Sequence, residues 1–449
     1  MTHDDLRGIV ETALHEQDRD TLVARLADQI PADLADFIEH ADDNRHRIEL
    51  LMALPLQRRA DTFGYLTLHR QQQLAEHLPI EVLAETMTLM PADERADLFK
   101  ALDEDMRRNL YMRLARKERE DMRRLASYEE GSAGSVMTTD YASIHTGMTV
   151  REALRTLRLT APDKETIYLA FVVDSAHLLL GTVSLRELIL AQPDTRVDEL
   201  MKRDVIFART DDTQEEVAKR ISRYDLLALP ILNHDDTLVG IVTYDDAMDV
   251  AEAEATEDMH KGATVGKLDG SFAEVSPWSL YRSRVHWLVV LVFANIFTGA
   301  GIALFEDMIA AHVALLFFMP LLVASAGNAG SQSATLMVRG MATGDVTGKD
   351  WARLLGREIF VAMALGLTMA AAVMVVGIFR AGVDVAMVVA LTMIIVVMVG
   401  SLIGMGLPFL LSKLRFDPAT ASTPLITTIA DVSGVLIYFS IASLLLDLV

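Results

Sequence analysis

Five apolar runs, at about residues 285–305, 313–338, 356–379, 385–411 and 424–446, dominate the C-terminal part of this chain. Each holds the roughly 20 residues that a helix needs to cross a hydrocarbon core about 30 Å thick. In lipid every backbone amide must find its partner within the protein, so runs of this length point to membrane-spanning helices. With the preceding domains on the cytoplasmic side, the cytoplasmic flanks collect Arg282, Arg284, Arg339, Lys349, Arg353, Arg357, Lys413 and Arg415, and only Arg380 falls outside. That is a positive-inside pattern for a multi-pass protein of the inner, or cell, membrane.

The charge is divided unevenly. Residues 281–449 carry nine Lys or Arg against nine Asp or Glu, so the whole net charge of −22 lies in residues 1–280. A field of that sign repels nucleic acid and attracts cations, divalent ones most strongly. With no cysteine in the chain, disulfides and thiolate metal sites are excluded. The opening "MTHDDLRGIVETALHEQ" lacks a basic stretch followed by an apolar core, so no cleaved signal peptide is read.

Residues 30–125 repeat in twelves, and an apolar residue followed by Pro opens four of the blocks, at Ile30, Leu54, Leu78 and Met90. Proline suits the first turn of a helix, and one short helix per repeat predicts an all-α superhelical domain over residues 1–130. The next stretch is duplicated. "SVMTTDYASIHTGMTVREALRTL" is echoed by "ELMKRDVIFARTDDTQEEVAKRI", and "YLAFVVDSAHLLLGTVSLREL" by "LALPILNHDDTLVGIVTYDDA". Each copy reads as a helix, two short strands around a polar turn, and a helix starting at Ser184 or Thr243. This pair resembles tandem α/β CBS modules, over 131–198 and 199–250. In that resemblance "GIVTYDD" is similar to the nucleotide-contact pattern, with Thr243 and Asp246 in the polar places for ATP or another adenine nucleotide; otherwise Thr243 caps the helix that follows.

Within the membrane part, "MPLLVASAGNAGSQSATLMV" places Asn328, Ser331, Gln332 and Thr335 as oxygen donors beside Pro320, Gly327 and Gly330, which are expected to weaken the helix. Small residues also serve close helix packing. Asn and Gln together at that depth favour a pore wall. Asp431, inside the fifth run, sharpens the point. An ionised carboxylate there costs roughly 2.5–3.5 kcal/mol on insertion scales, and no Lys or Arg lies mid-span to offset it. A hydrated divalent cation offsets it best, since Mg2+ is held by one or two carboxylates with several waters retained. Residues 245–276 join the two halves. Their acidic helix sets Asp245, Asp249 and Glu252 on one face and clusters Glu254, Glu257 and Asp258, an arrangement that calls for cations.

Taken together, "GNAGSQSATLMVRG", "TTIADVSGVLIY", the "EAEATEDMHK" helix and the CBS pair resemble the MgtE family of magnesium channels and transporters over nearly the whole chain. The resemblance implies a homodimer in membrane lipid, with five spanning helices over 277–449 and a pore between copies that passes Mg2+. It implies Asp431 as the selectivity carboxylate, with Asn328, Gly327, Thr427 and Thr335 in the pore wall. It further implies a sensor for internal Mg2+ made of Asp246, Asp249, Glu254, Glu257 and Asp258 with Glu215, Asp225 and Asp417. Asp93 or Asp97 is the counterpart in the N-terminal domain, with Asp61 a lesser candidate. One departure is Ser331, where family members often carry a further amide. Two other readings stay open: a membrane-anchored cation or nucleotide sensor that transports nothing, and a divalent-cation transporter coupled to H+ or Na+ through Asp431. No nucleophile–base pair, phosphate loop or metalloprotease motif suggests an enzyme.

Overall fold

The computed structural model describes residues 26, 29–41, 43–266, 268 and 275–446. Residues 1–25, where a leader was sought, lie outside that set. The chain divides into two compact units, residues 1–254 and 255–449.

Among the described residues, the first unit holds the repeat from Pro31 onward. Eight helices follow one another: α1 (Pro31–Glu39), α2 (Asn44–Ala53), α3 (Leu56–Gly64), α4 (Leu68–Ala75), α5 (Ile80–Leu89), α6 (Ala92–Ala101), α7 (Glu104–Tyr111) and α8 (Arg116–Leu125). From α2 onward their starts fall at the twelve-residue spacing that the sequence predicts. Pro31 sits at the first helical position of α1, while Pro55, Pro79 and Pro91 are the N-caps of α3, α5 and α6. Each helix packs on the one two places along, as α1 on α3, α4 on α6 and α6 on α8. The shared core of Leu34, Leu51, Phe63, Leu74, Leu83 and Met87 is fully closed to solvent.

The duplicated modules follow. The first contains β1 (Tyr141–His145), α9 (Val150–Thr160), β2 (Thr166–Val173), β3 (Leu179–Ser184) and α10 (Leu185–Leu190). After the short α11 (Val197–Leu200), the second contains β4 (Ala208–Arg209), α12 (Gln214–Tyr224), β5 (Ala228–Leu232), β6 (Leu238–Thr243) and α13 (Tyr244–Gly262). In each module the first strand runs parallel to the second and the second antiparallel to the third, with Ala170 opposite Val183 and Leu229 opposite Val242. The hairpins were legible; the leading strands β1 and β4 are an addition. The modules also exchange edges. Thr138, ahead of β1, trades both backbone bonds with Ile241 of β6, and Lys202, ahead of β4, trades both with Thr182 of β3.

Among the described residues, the second unit holds five helices long and apolar enough to cross a membrane. These are α14 (Pro277–Ala303), α16 (Ala314–Ala342), α17 (Trp351–Ala381), α18 (Val383–Lys413) and α19 (Thr423–Leu446), with the short α15 (Glu306–Ala311) between the first two. Here the structure corrects one expectation. Despite Pro320, Gly327 and Gly330, α16 is a single helix of 29 residues. The glycines serve approach instead of unwinding. A Cβ on Gly404 of α18 would lie 1.9 Å from the Gly330 carbonyl oxygen, and one on Gly400 would lie 2.3 Å from that of Ala326. The two helices therefore meet backbone to backbone. The Tyr438 hydroxyl of α19 closes the other end of the bundle by donating to the Leu315 carbonyl at 3.0 Å. Glu358 of α17, a carboxylate the sequence reading passed over, accepts a hydrogen bond from the buried Ser401 of α18.

The glycine seam makes a sharp prediction. Gly404→Ala should destabilise the detergent-solubilised protein by at least the roughly 1–3 kcal/mol typical of overpacking, read as a lower melting temperature. Gly406→Ala, whose Cβ would meet nothing nearer than Trp351 Cη2 at 3.7 Å, should leave it unchanged.

Candidate functional site: a carboxylate in an apolar helix and a separate acid cluster

In the membrane unit, α16 and α19 pack through Gly327, where a Cβ would stand 3.0 Å from Thr427 Cγ2. Gly327 is buried, so it brings the helices together and presents no oxygen of its own. One residue on, Asn328 is exposed, as are Gln332 and Thr335 further along the same helical face. On α19, Thr427 and Asp431 are one turn apart and both half-buried. Asp431 lies about 12 Å along its helix at 1.5 Å per residue, well inside the apolar stretch. Among the described residues no hydrogen bond or ion pair reaches its carboxylate.

Two threonine hydroxyls on these helices are engaged with their own backbones. Thr427 Oγ1 donates to the Pro424 carbonyl at 3.0 Å and Thr335 Oγ1 to the Ser331 carbonyl at 2.9 Å. With their protons committed to the backbone, both oxygens are left as acceptors, which suits the O–H groups of a hydrated cation. Ser331 Oγ, at the departure noted above, is buried without a hydrogen-bond partner.

In the first unit, an apolar contact gathers acids. Ala92 and Ala96 of α6 share a core with Ala247 and Val250 of α13. That contact sets Asp93 and Glu94, in the first turn of α6, near Asp245, Asp246 and Asp249 on α13, with Glu165 ahead of β2. Asp93 Oδ1 and Glu94 Oε2 are closed to solvent and have no hydrogen-bond partner. Burial and then the neighbouring charges of Asp246, Glu94 and Glu165 hold the Asp93 carboxyl well above its usual range. Burial, followed by Glu165 and Asp246, pushes Glu94 up to about 7. Glu165 is likewise pushed up to about 7, by burial and then by Asp246 and Asp245. Asp246 is raised by burial, partly offset by the Thr243 side chain, and Asp249 by burial with Asp245 and Glu252. These acids repel one another and, among the described residues, have no base to pair with, the electrostatic signature of a cation-seeking site. Even so, among the described residues no three His, Asp or Glu side chains converge to hold one ion directly. The arrangement suits an ion that keeps its waters.

Of the remaining acids named from sequence, each is engaged elsewhere. Asp97 pairs with Lys100 at 3.1 Å, so Asp93 and not Asp97 faces α13. Asp61 accepts from Gln57. Glu215 pairs with Lys219 at 2.7 Å, Asp225 caps α12 in the left-handed region at φ 50°, and Glu254 accepts from Gln214 at 2.7 Å. Thr243 gives both its amide and its hydroxyl to Asp246, the capping arrangement. Further along α13, the Lys261 ammonium lies 2.6 Å from Glu257 and 2.6 Å from Asp417. Burial opposes that charge, and the bonds to Asp417 and Glu257 more than restore it, raising Lys261 above its ordinary range. Asp258 lines an adjoining cavity of about 650 Å³ with Met259, Thr335, Arg339 and Thr423.

Comparison with known proteins settles the family. Residues 319–441 match the model for the MgtE divalent cation transporter, 30–131 that for the MgtE intracellular N domain, and 133–194 and 197–253 the CBS domain. The magnesium transporter MgtE of Thermus thermophilus is 40% identical over 443 residues, 98% of each chain. The chain belongs to the MgtE family. The Bacillus subtilis MgtE is 34% identical over 92% of this chain and 91% of its own. Among solved structures, the soluble part of a magnesium transporter superposes with a TM-score of 0.52 at 30% identity, covering 57% of this chain and all of that one. The cytosolic domain of the Mg2+ channel MgtE in complex with ATP gives 0.52 at 39% identity, over 54% and 98%. These MgtE relatives are named as transporters and not as enzymes.

The acid cluster sets a pH dependence with a definite sign. A carboxyl whose folded pKa is raised binds more protons folded than unfolded, so stability is full below the unfolded value and is lost as pH rises through the folded one. In chelator, resistance of the first unit to protease should therefore fall between pH 5 and pH 8, across the range set by Glu94 and Glu165 near 7. Asp93→Asn should flatten that fall.

Proposed function

We propose that this chain passes Mg2+ through a pore whose wall is the Asn328, Thr335, Thr427 and Asp431 face, and that Mg2+ on the cytoplasmic side closes it. The observation that carries the reading is Asp431, a carboxylate inside an apolar helix with no partner among the described residues, one turn from the Thr427 hydroxyl whose proton is committed to the backbone. A hydrated divalent cation offsets the cost of that charge and can hydrogen-bond to those oxygens through its own waters.

A pore bounded by two helices of one chain needs a second wall, and a homodimer about an axis along α16 and α19 supplies it with two Asp431 carboxylates. The basic flanks support a cell-membrane location with the helical domain and CBS modules in the cytoplasm.

Closure follows from repulsion. At low Mg2+ the charges of Asp93, Glu94, Glu165, Asp245, Asp246 and Asp249 drive their segments apart. At high Mg2+ hydrated ions neutralise them and the segments close up. The helix that carries Asp246 and Asp249 continues to Glu257, Asp258 and Lys261, so a change at its start reaches the turns near α16 and α19. Closure that takes several ions is steep in their concentration. ATP in the related cytosolic domain makes an adenine nucleotide a second ligand proposed for the CBS pair. A nucleotide contacting Thr243 or Asp246 would have to displace the cap between them.

In liposomes holding a Mg2+-sensitive dye, wild-type influx should proceed without a proton or sodium gradient and fall as Mg2+ rises on the cytoplasmic face. Asp431→Ala should cut it by about tenfold or more, one to several kcal/mol at the site. No influx from folded wild type would favour the sensor reading, and influx that needs a proton or sodium gradient the coupled one. Below pH 7, protons on Glu94 and Glu165 relieve the same repulsion that the ion relieves, so inhibition should need less Mg2+ at pH 6 than at pH 8.

A further inference from the structure

Glu257 and Asp417 are expected partners of a bridging divalent ion, yet a cation of the chain's own stands between them. Lys261 Nζ is 2.6 Å from Glu257 Oε1 and 2.6 Å from Asp417 Oδ2. The geometry is built at both ends. Glu257 precedes Lys261 by one helical turn, the favourable order for such a pair. Asp417 is fixed by its second oxygen, which accepts the Ala419 amide at 2.8 Å in the turn ahead of α19. The three side chains are 31%, 43% and 38% exposed, open enough for ions to reach them.

We propose that Lys261 is a tethered counter-cation. Its ammonium pins the end of α13 to the turn that leads into α19 without any divalent ion, so Mg2+ takes this joint only by displacing it. An intramolecular ligand competes at an effective concentration on the order of millimolar, the range in which a regulatory Mg2+ site would work. Lys261 thereby positions the joint and sets how much of the closure depends on Mg2+ at all. This rests on the gate proposed above only in its consequence for flux; the tether is a statement about α13 and Asp417 alone.

The chain has no cysteine, so a pair introduced at Gly262 and Thr423, which line the cavity beside the joint, reports on it uniquely. A Cβ at 262 meets nothing within 4 Å, and Thr423 is exposed. With Lys261 present, a short bis-maleimide should join the pair at similar rates in chelator and in millimolar Mg2+. In K261Q the rate in chelator should fall about fivefold or more, the lower end of a typical coupling between sites, and Mg2+ should restore it. K261R should behave as the parent. Asp417→Asn should be slow in chelator and stay slow in Mg2+, having lost the ligand itself. In liposomes K261Q should admit more Mg2+ than wild type at low cytoplasmic Mg2+ and match it at high.

Cross-linking of K261Q in chelator at the parent rate would overturn the proposal, as would a slow rate that Mg2+ fails to restore. If the cross-linking pattern holds while wild-type influx ignores cytoplasmic Mg2+, the tether stands and the gate reading fails.

Discussion

The contact on which the membrane unit depends is the meeting of two backbones, α16 against α18 at Gly330, Gly400 and Gly404. Apolar side chains gain little by leaving lipid for one another, so spanning helices associate by close fit. By spending its small residues on α18, α16 keeps the opposite face for Asn328, Gln332 and Thr335. Gly327 does the same towards α19 and carries Thr427 and Asp431 to the edge of that face. The polar groups of this bundle owe their placement to residues with almost no side chain.

In the first unit an equally plain contact does the placing. Ala92, Ala96, Ala247 and Val250 pack because they are small and apolar, and the acids one residue away are carried together against their repulsion. The resulting strain is local and electrostatic, and counter-ions relieve it. A single element, α13, has this cluster at its start and the Glu257–Lys261–Asp417 joint at its end.

Much of this was legible in the sequence where the signal is periodic. The twelve-residue spacing marked the eight short helices, the duplicated strings marked the hairpins of both modules, and the apolar runs found the five long helices to within a few residues except at the first and third starts. What escaped was set by distant residues. Glu94 and Glu165 join Asp93 and Asp246 only through tertiary packing, and the two-residue strand β4 is too short to show a pattern. Gly327 and Gly330 read as helix breakers because composition does not say whether a second backbone lies alongside. Asp431 was readable because a charge in an apolar run needs no neighbour to be conspicuous. Lys261 was not, since its partner Asp417 lies far along the chain.

The eight-helix repeat has one consequence of its own. Because each helix leans on its neighbours one and two places along, the domain has no central keystone; its free energy is a sum of similar local terms. Such an array can gain or lose one twelve-residue unit with little disturbance elsewhere. Its length is an adjustable quantity, and how far α6 reaches beyond its attachment can change while the acids at its tip keep their setting.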